Sequence, residues 1–103
     1  MAATNYNVLA PVAGTQAISA TSSTAVGLTV PSPSTNQTKA NYAFCVAETN
    51  SVRWRDDGTD PTATVGMLLQ PNVGFVYDGN LSALKFISTG AQAIVTVAYY
   101  RNG

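Results

Sequence analysis

An antiparallel β-sandwich of seven or eight short strands is the fold this sequence predicts, and three observations predict it. Runs of β-branched, aromatic and alternating apolar residues recur at spacings of roughly 8–12 residues. Proline, glycine, asparagine, aspartate and serine punctuate the gaps with turn chemistry. No stretch of the 103 residues keeps a helical period long enough to bury one face of a helix. Periodicity alone leaves the connectivity open between a jelly roll and an immunoglobulin-like sandwich. The Cys–Trp–Cys framework that would favour the second is absent, because the chain has one cysteine.

The elements follow in order. Residues 5–12 are apolar with a break at Pro11, as suits an edge strand or an arm that reaches onto a neighbour. The expected division is therefore an arm or edge strand over residues 1–15 and one sandwich domain over residues 16–103. Residues 16–20 and 24–30 are short β-branched runs, and residues 31–37 form a polar loop stiffened by Pro31 and Pro33. Tyr42, Phe44 and Val46 fall on one face of the next strand and Ala43, Cys45 and Ala47 on the other. Both faces are apolar, which predicts a central strand whose small-residue side lies against something packed. Val52 and Trp54 alternate with Arg53 and Arg55, as in a strand with one wet side. A tight turn is expected at residues 56–61, where aspartates can accept backbone hydrogen bonds and Gly58 can take positive φ. Further strands are expected at residues 64–69, 74–77, 83–87 and 92–101. The last is apolar on both faces, so it must be covered within a sandwich or by a partner chain.

Composition narrows the function. Charged residues are 10% of the chain, against roughly 25% in an ordinary soluble domain, while the apolar share of 46% is ordinary. Five basic residues balance five acidic ones, which leaves no net field to steer nucleic acid or an anionic membrane. Self-association or docking on a large assembly suits such a neutral surface. One cysteine excludes an internal disulfide. The N-terminal residues have neither the basic nor the apolar segment of a signal peptide, and no run of eighteen apolar residues exists to span a membrane. Synthesis in a cytoplasm is the resulting expectation. The sequons at Asn36 and Asn80 are accordingly expected to be chance matches.

Catalytic equipment is sparse. The chain has no histidine, so Cys45 lacks the usual base, and its apolar neighbours predict a core thiol. Asp56, Asp57 and Asp60, with Glu48, are the one concentration of carboxylates. They fall short of a spaced calcium-binding ladder, and a weak calcium site would need backbone carbonyls or a second subunit to complete it. Pairing of these aspartates with Arg53 and Arg55 is the expectation. Glu48 and Asp56 could be cast as a glycosidase pair, but the chain offers no cleft-building insertions. Trp54 and Tyr77 can be read as a sugar-binding platform or, the favoured reading, as aromatic plugs in the core or between subunits. Arg53-Trp54-Arg55 superficially suits nucleic acid, yet Asp56 and Asp57 cancel its charge. Neither enzymatic activity, nor a cofactor, nor nucleic-acid or membrane binding is expected.

The phrase RWRDDGTDPTATVGM at residues 53–67 resembles a segment of small virion-associated proteins of tailed bacteriophages and prophages. In these the phrase is followed by a strand similar to residues 75–77, a segment similar to LSALKFI at 81–87 and a terminal strand similar to VTVAYYR at 95–101. The resemblance covers roughly the C-terminal half. It implies a non-enzymatic virion component assembled in the bacterial host cytoplasm, foremost a capsid decoration or cement protein bound to the major capsid protein or other virion proteins. Such proteins work as symmetric oligomers, with a trimer the favoured state here. The residues expected at subunit or docking contacts are Arg53, Trp54, Arg55, Asp57, Tyr99 and Tyr100. The alternative is a tail or fibre accessory module that binds host-surface carbohydrate.

Overall fold

The computed structural model describes the backbone of residues 9–30 and 40–102, and the side chains of 15–30 and 40–101. The expected loop at residues 31–37 lies outside them. Eight strands follow in order: β1 (Leu9–Ala20), β2 (Val26–Gly27), β3 (Tyr42–Glu48), β4 (Val52–Arg55), β5 (Met67–Leu69), β6 (Gly74–Tyr77), β7 (Lys85–Ser88) and β8 (Ala93–Asn102). One 3₁₀ turn, η1 (Leu81–Ala83), precedes β7. Its cap is Asn80, whose side chain accepts a bond from the Ser82 N–H, which accounts for an element that no apolar period announces.

Two antiparallel four-stranded sheets result, in the orders β1-β8-β3-β6 and β2-β7-β4-β5. First pairs with eighth, second with seventh, third with sixth and fourth with fifth. That nesting is a long hairpin folded over on itself, the jelly roll, and it decides the connectivity that periodicity left open.

The alternation read in the sequence sets what lies between the sheets. Ala43, Cys45 and Ala47 of β3 are fully buried, as are Ala93, Val95 and Val97 of β8. Small residues on β3 leave room for Phe86, Leu84 and Val52, fully buried and among the bulkiest enclosed side chains. Each such side chain stabilises the fold by about 1.5–3 kcal/mol relative to an exposed one. At one margin Gln16 accepts hydrogen bonds from the Tyr99 hydroxyl and from the Thr29 N–H, tying β8 and the end of the β2 segment to β1.

Four elements depart from their expected bounds, among them β7, which begins at Lys85 instead of residue 83 because η1 takes Ala83. β1 is one strand across the expected boundary at residue 15, with a register shift between Pro11 and Thr15 where the bulging chain outruns β8. β2 shrinks to two residues. β5 starts at Met67 instead of residue 64, because Thr62 and Val65 close a turn on each other and Gly66 follows at φ 140°.

Candidate functional site

The resembling phrase folds into a braced loop between β4 and β5. β4 pairs with β7 so that Arg55 stands opposite Lys85. Two cations opposite each other in adjacent strands repel. The loop supplies both counter-charges. Asp57 takes the Arg55 guanidinium through two bonds, 3.1 and 2.5 Å, and Asp60 takes the Lys85 ammonium at 3.0 Å. The Asp57 carboxyl is held below the usual range by the Arg55 hydrogen bond and by the Thr59 N–H.

Arg53 does something the alternation did not reveal. Its side chain lies on the outward face of the sheet and donates to the carbonyls of Ala63 (3.2 Å) and Gly66 (3.0 Å), so it tethers the far end of the loop. Pro61 is buried within the loop, and Ile87, which faces Arg53 across the β4–β7 ladder, is 4% exposed despite pointing away from the core. A Cβ at Gly66 would meet the Arg53 Cβ and the Trp54 carbonyl at 3.1 Å. Glycine is therefore required there for space as well as for its positive φ.

Trp54 faces inward at the margin of the sandwich. Its indole stacks on Phe75 of β6 at 5.2 Å and meets Tyr77 edge-on at 6.0 Å. Tyr77 is buried, and its hydroxyl donates to Asp56 at 2.6 Å. Burial, then the Asp56 bond, pushes the phenol up to about 12. Beside this cluster is an open cavity of about 400 Å³, lined by Trp54, Arg55, Asp56, Asp57, Gly66 and Met67 together with Val65.

The residues expected at contacts thus lie in four places. Arg53, Arg55 and Asp57 bond within the loop, and Trp54 is half-buried in the aromatic cluster. Tyr99 is 3% exposed between the sheets, and Tyr100 is half-buried on the opposite, outward face of β8. Glu48, the other carboxylate, sits apart and accepts from Thr96 on β8. Cys45 is a buried thiol pushed up to about 12 by burial. Among the described residues no group of three or more histidine, cysteine, aspartate or glutamate side chains is placed to hold a metal ion, and no helix is long and apolar enough to cross a membrane.

What the sequence reading missed is an apolar flank. Phe44, Val65, Met67, Leu68, Val73 and Val76 are all large and exposed. They lie on β5, on β6, on the segments leading into them and on β3 directly opposite Val76. Eleven residues, 67–77, pass through this flank without a charge. Comparison of the chain with protein-family models, with curated proteins and with solved structures finds no match. The class defined by the fold and this flank is an all-β jelly-roll domain with an uncharged apolar side.

Proposed function

We propose that this protein is a non-enzymatic structural subunit of a phage virion, a decoration or cement protein that binds the head shell as an oligomer and stabilises it. The observation that carries the reading is the exposed apolar flank at β5 and β6 on a chain of zero net charge. Apolar groups gathered on one side mark an interaction surface. The resemblance of residues 53–67 supplies the virion context, and the loop those residues form is rigid enough to present the flank in one geometry. Jelly rolls recur in viral capsid and lectin domains, an analogy of architecture that assigns no site.

Imaging of native particles by electron cryo-microscopy tests the proposal. Ordered copies on the head lattice, contacting the shell through the β5 side of the flank, are expected. Particles lacking the chain would overturn it.

The cavity beside Trp54 favours a second reading, carbohydrate binding by a tail or fibre module. A fixed indole flanked by two carboxylates and a guanidinium offers a sugar both an apolar face and hydrogen-bond partners. Saccharide titration monitored by Trp54 fluorescence decides this one, and a spectrum unchanged by any host-surface glycan rejects it.

A further inference from the structure

The flank contains a sheet edge whose pattern is complementary to itself. Among the described residues β6 pairs with β3 on one side and with nothing on the other. Asn72 donates to the Ala47 carbonyl at 2.7 Å, and Ala47 donates to the Val73 carbonyl at 3.4 Å. Ala47, Cys45 and Ala43 therefore exchange bonds with β6, and the two-residue alternation of an antiparallel ladder turns the amide and carbonyl groups of Gly74 and Val76 toward the open edge.

Two hydrogen-bonding residues flanking one central residue let a strand pair with its own copy across a twofold axis at that central residue. We propose that β6 pairs antiparallel with β6 of a second copy of this chain, with the axis at Phe75. Gly74 then faces Val76 of the copy in both halves, small against large. The two β1-β8-β3-β6 sheets become one sheet of twice the width.

Three observations favour a second copy over a foreign strand. First, like meets like without repulsion, because residues 67–77 carry no charge and the chain carries none in sum. Second, the outward face beside the edge is already apolar: Val76 is 61% exposed and Phe44 42%, and pairing would gather two of each into one cluster. Phe44 lies over the β6 backbone, since a Cβ at Gly74 would meet its ring at 2.8 Å. An aromatic ring over an edge glycine supports an edge strand that has no side chain of its own there. Third, β6, four residues long, carries neither a proline nor a register shift. β1, at the other margin of the same sheet, has Pro11, which cannot donate, and a register shift. The edges of the second sheet are shorter still, at two and three residues. This inference rests on the structural-subunit reading only for its biological use, since the pairing is a property of the isolated chain.

Sedimentation equilibrium of the purified chain, free of particles, is the test. A reversible dimer is expected, and Val76→Lys should weaken it by about tenfold or more, because it removes apolar burial and places two ammonium groups near the axis. Ala17→Lys, on the exposed outward face of β1, should leave it unchanged. Should Val76→Lys fail to fold, hydrogen exchange on the unsubstituted chain decides: protection of the Gly74 and Val76 amides must rise with protein concentration. A monomer at every concentration overturns the proposal. So does a trimer, or a dimer indifferent to Val76→Lys. Failure of the virion reading would show differently, as a dimer that is absent from particles.

Discussion

The two outward faces of the jelly roll are finished in different ways. On the β2-β7-β4-β5 sheet the chain covers β4 and β7 itself, leaving Leu68 of β5 exposed: the loop after β4 folds back, Arg53 holds its end and two aspartates neutralise the facing cations Arg55 and Lys85. On the β1-β8-β3-β6 sheet the side chains Phe44 and Val76 stand in the open at the β6 margin. The first face spends its polar groups inside one chain, and the second leaves its apolar groups for another surface. Charge in the phrase at residues 53–67 is thus a mark of self-bracing, and the uncharged run at 73–77 leaves the β6 margin apolar.

Substitutions at the bracing should cost folding stability, whereas those at the open face should cost association. Deepest in the shared core, Phe86→Ala should destabilise by about 3–5 kcal/mol in urea unfolding, through lost burial and the cavity left behind. It sets the scale for the rest. Arg53→Ala should follow at about 2–3 kcal/mol, since two charge-assisted bonds to carbonyls disappear and the loop end is released. Arg53→Lys cannot reproduce the fork, so it should recover only part of the loss. Gly66→Ala should cost about 1–3 kcal/mol through its positive φ, with close contacts adding to it. Were Arg53→Ala as mild as a surface change, the loop would not be a brace and the contrast between the faces would fall.

Alkaline unfolding sharpens the comparison from the core side. Burial holds Tyr77 and Tyr99 up to about 12, against about 10 in an unfolded chain. Below pH about 10 both states keep the protons and the contribution is complete. Between about 10 and 12 the unfolded chain has released protons that the folded chain retains, so stability falls as pH rises and this contribution is gone above about 12. Tyr77→Phe and Tyr99→Phe should each flatten the fall, as read by the unfolding midpoint at a series of pH values. Smallest of all, Val76→Lys should shift folding stability by no more than about 0.5 kcal/mol while it disperses the dimer. A large loss of folding stability there would mean that the open face is packed.

The strands with two well-marked faces were the legible ones. β6 runs over the residues the turn signals enclosed, and β8 and β3 bury the faces their alternation indicated. β1 was less legible because Pro11 reads as a break, while the structure absorbs it in a shift of register within one strand. Arg53 is expected to pair with a neighbouring aspartate and to stand at a subunit or docking contact. Its partners are the carbonyls of Ala63 and Gly66, which offer no side-chain signal. Asp57 pairs with Arg55 as expected, but the facing of Arg55 and Lys85 depends on a register between strands thirty residues apart in the chain, and this is why the Asp60–Lys85 pair was hidden. The apolar flank was overlooked for a similar reason: Phe44 and Val76 come together only when β3 and β6 are paired.

The buried Cys45 gives this chain a built-in clock. Its thiol is fully enclosed on β3 and held far from the thiolate by its surroundings. Since the thiolate is the nucleophile, an alkylating reagent at neutral pH must wait for the two sheets to part. The rate at which the single thiol is consumed therefore counts openings of the jelly roll one molecule at a time. In an assembled particle the same count would register how far neighbours hold the sheets shut, with no substitution in the sequence.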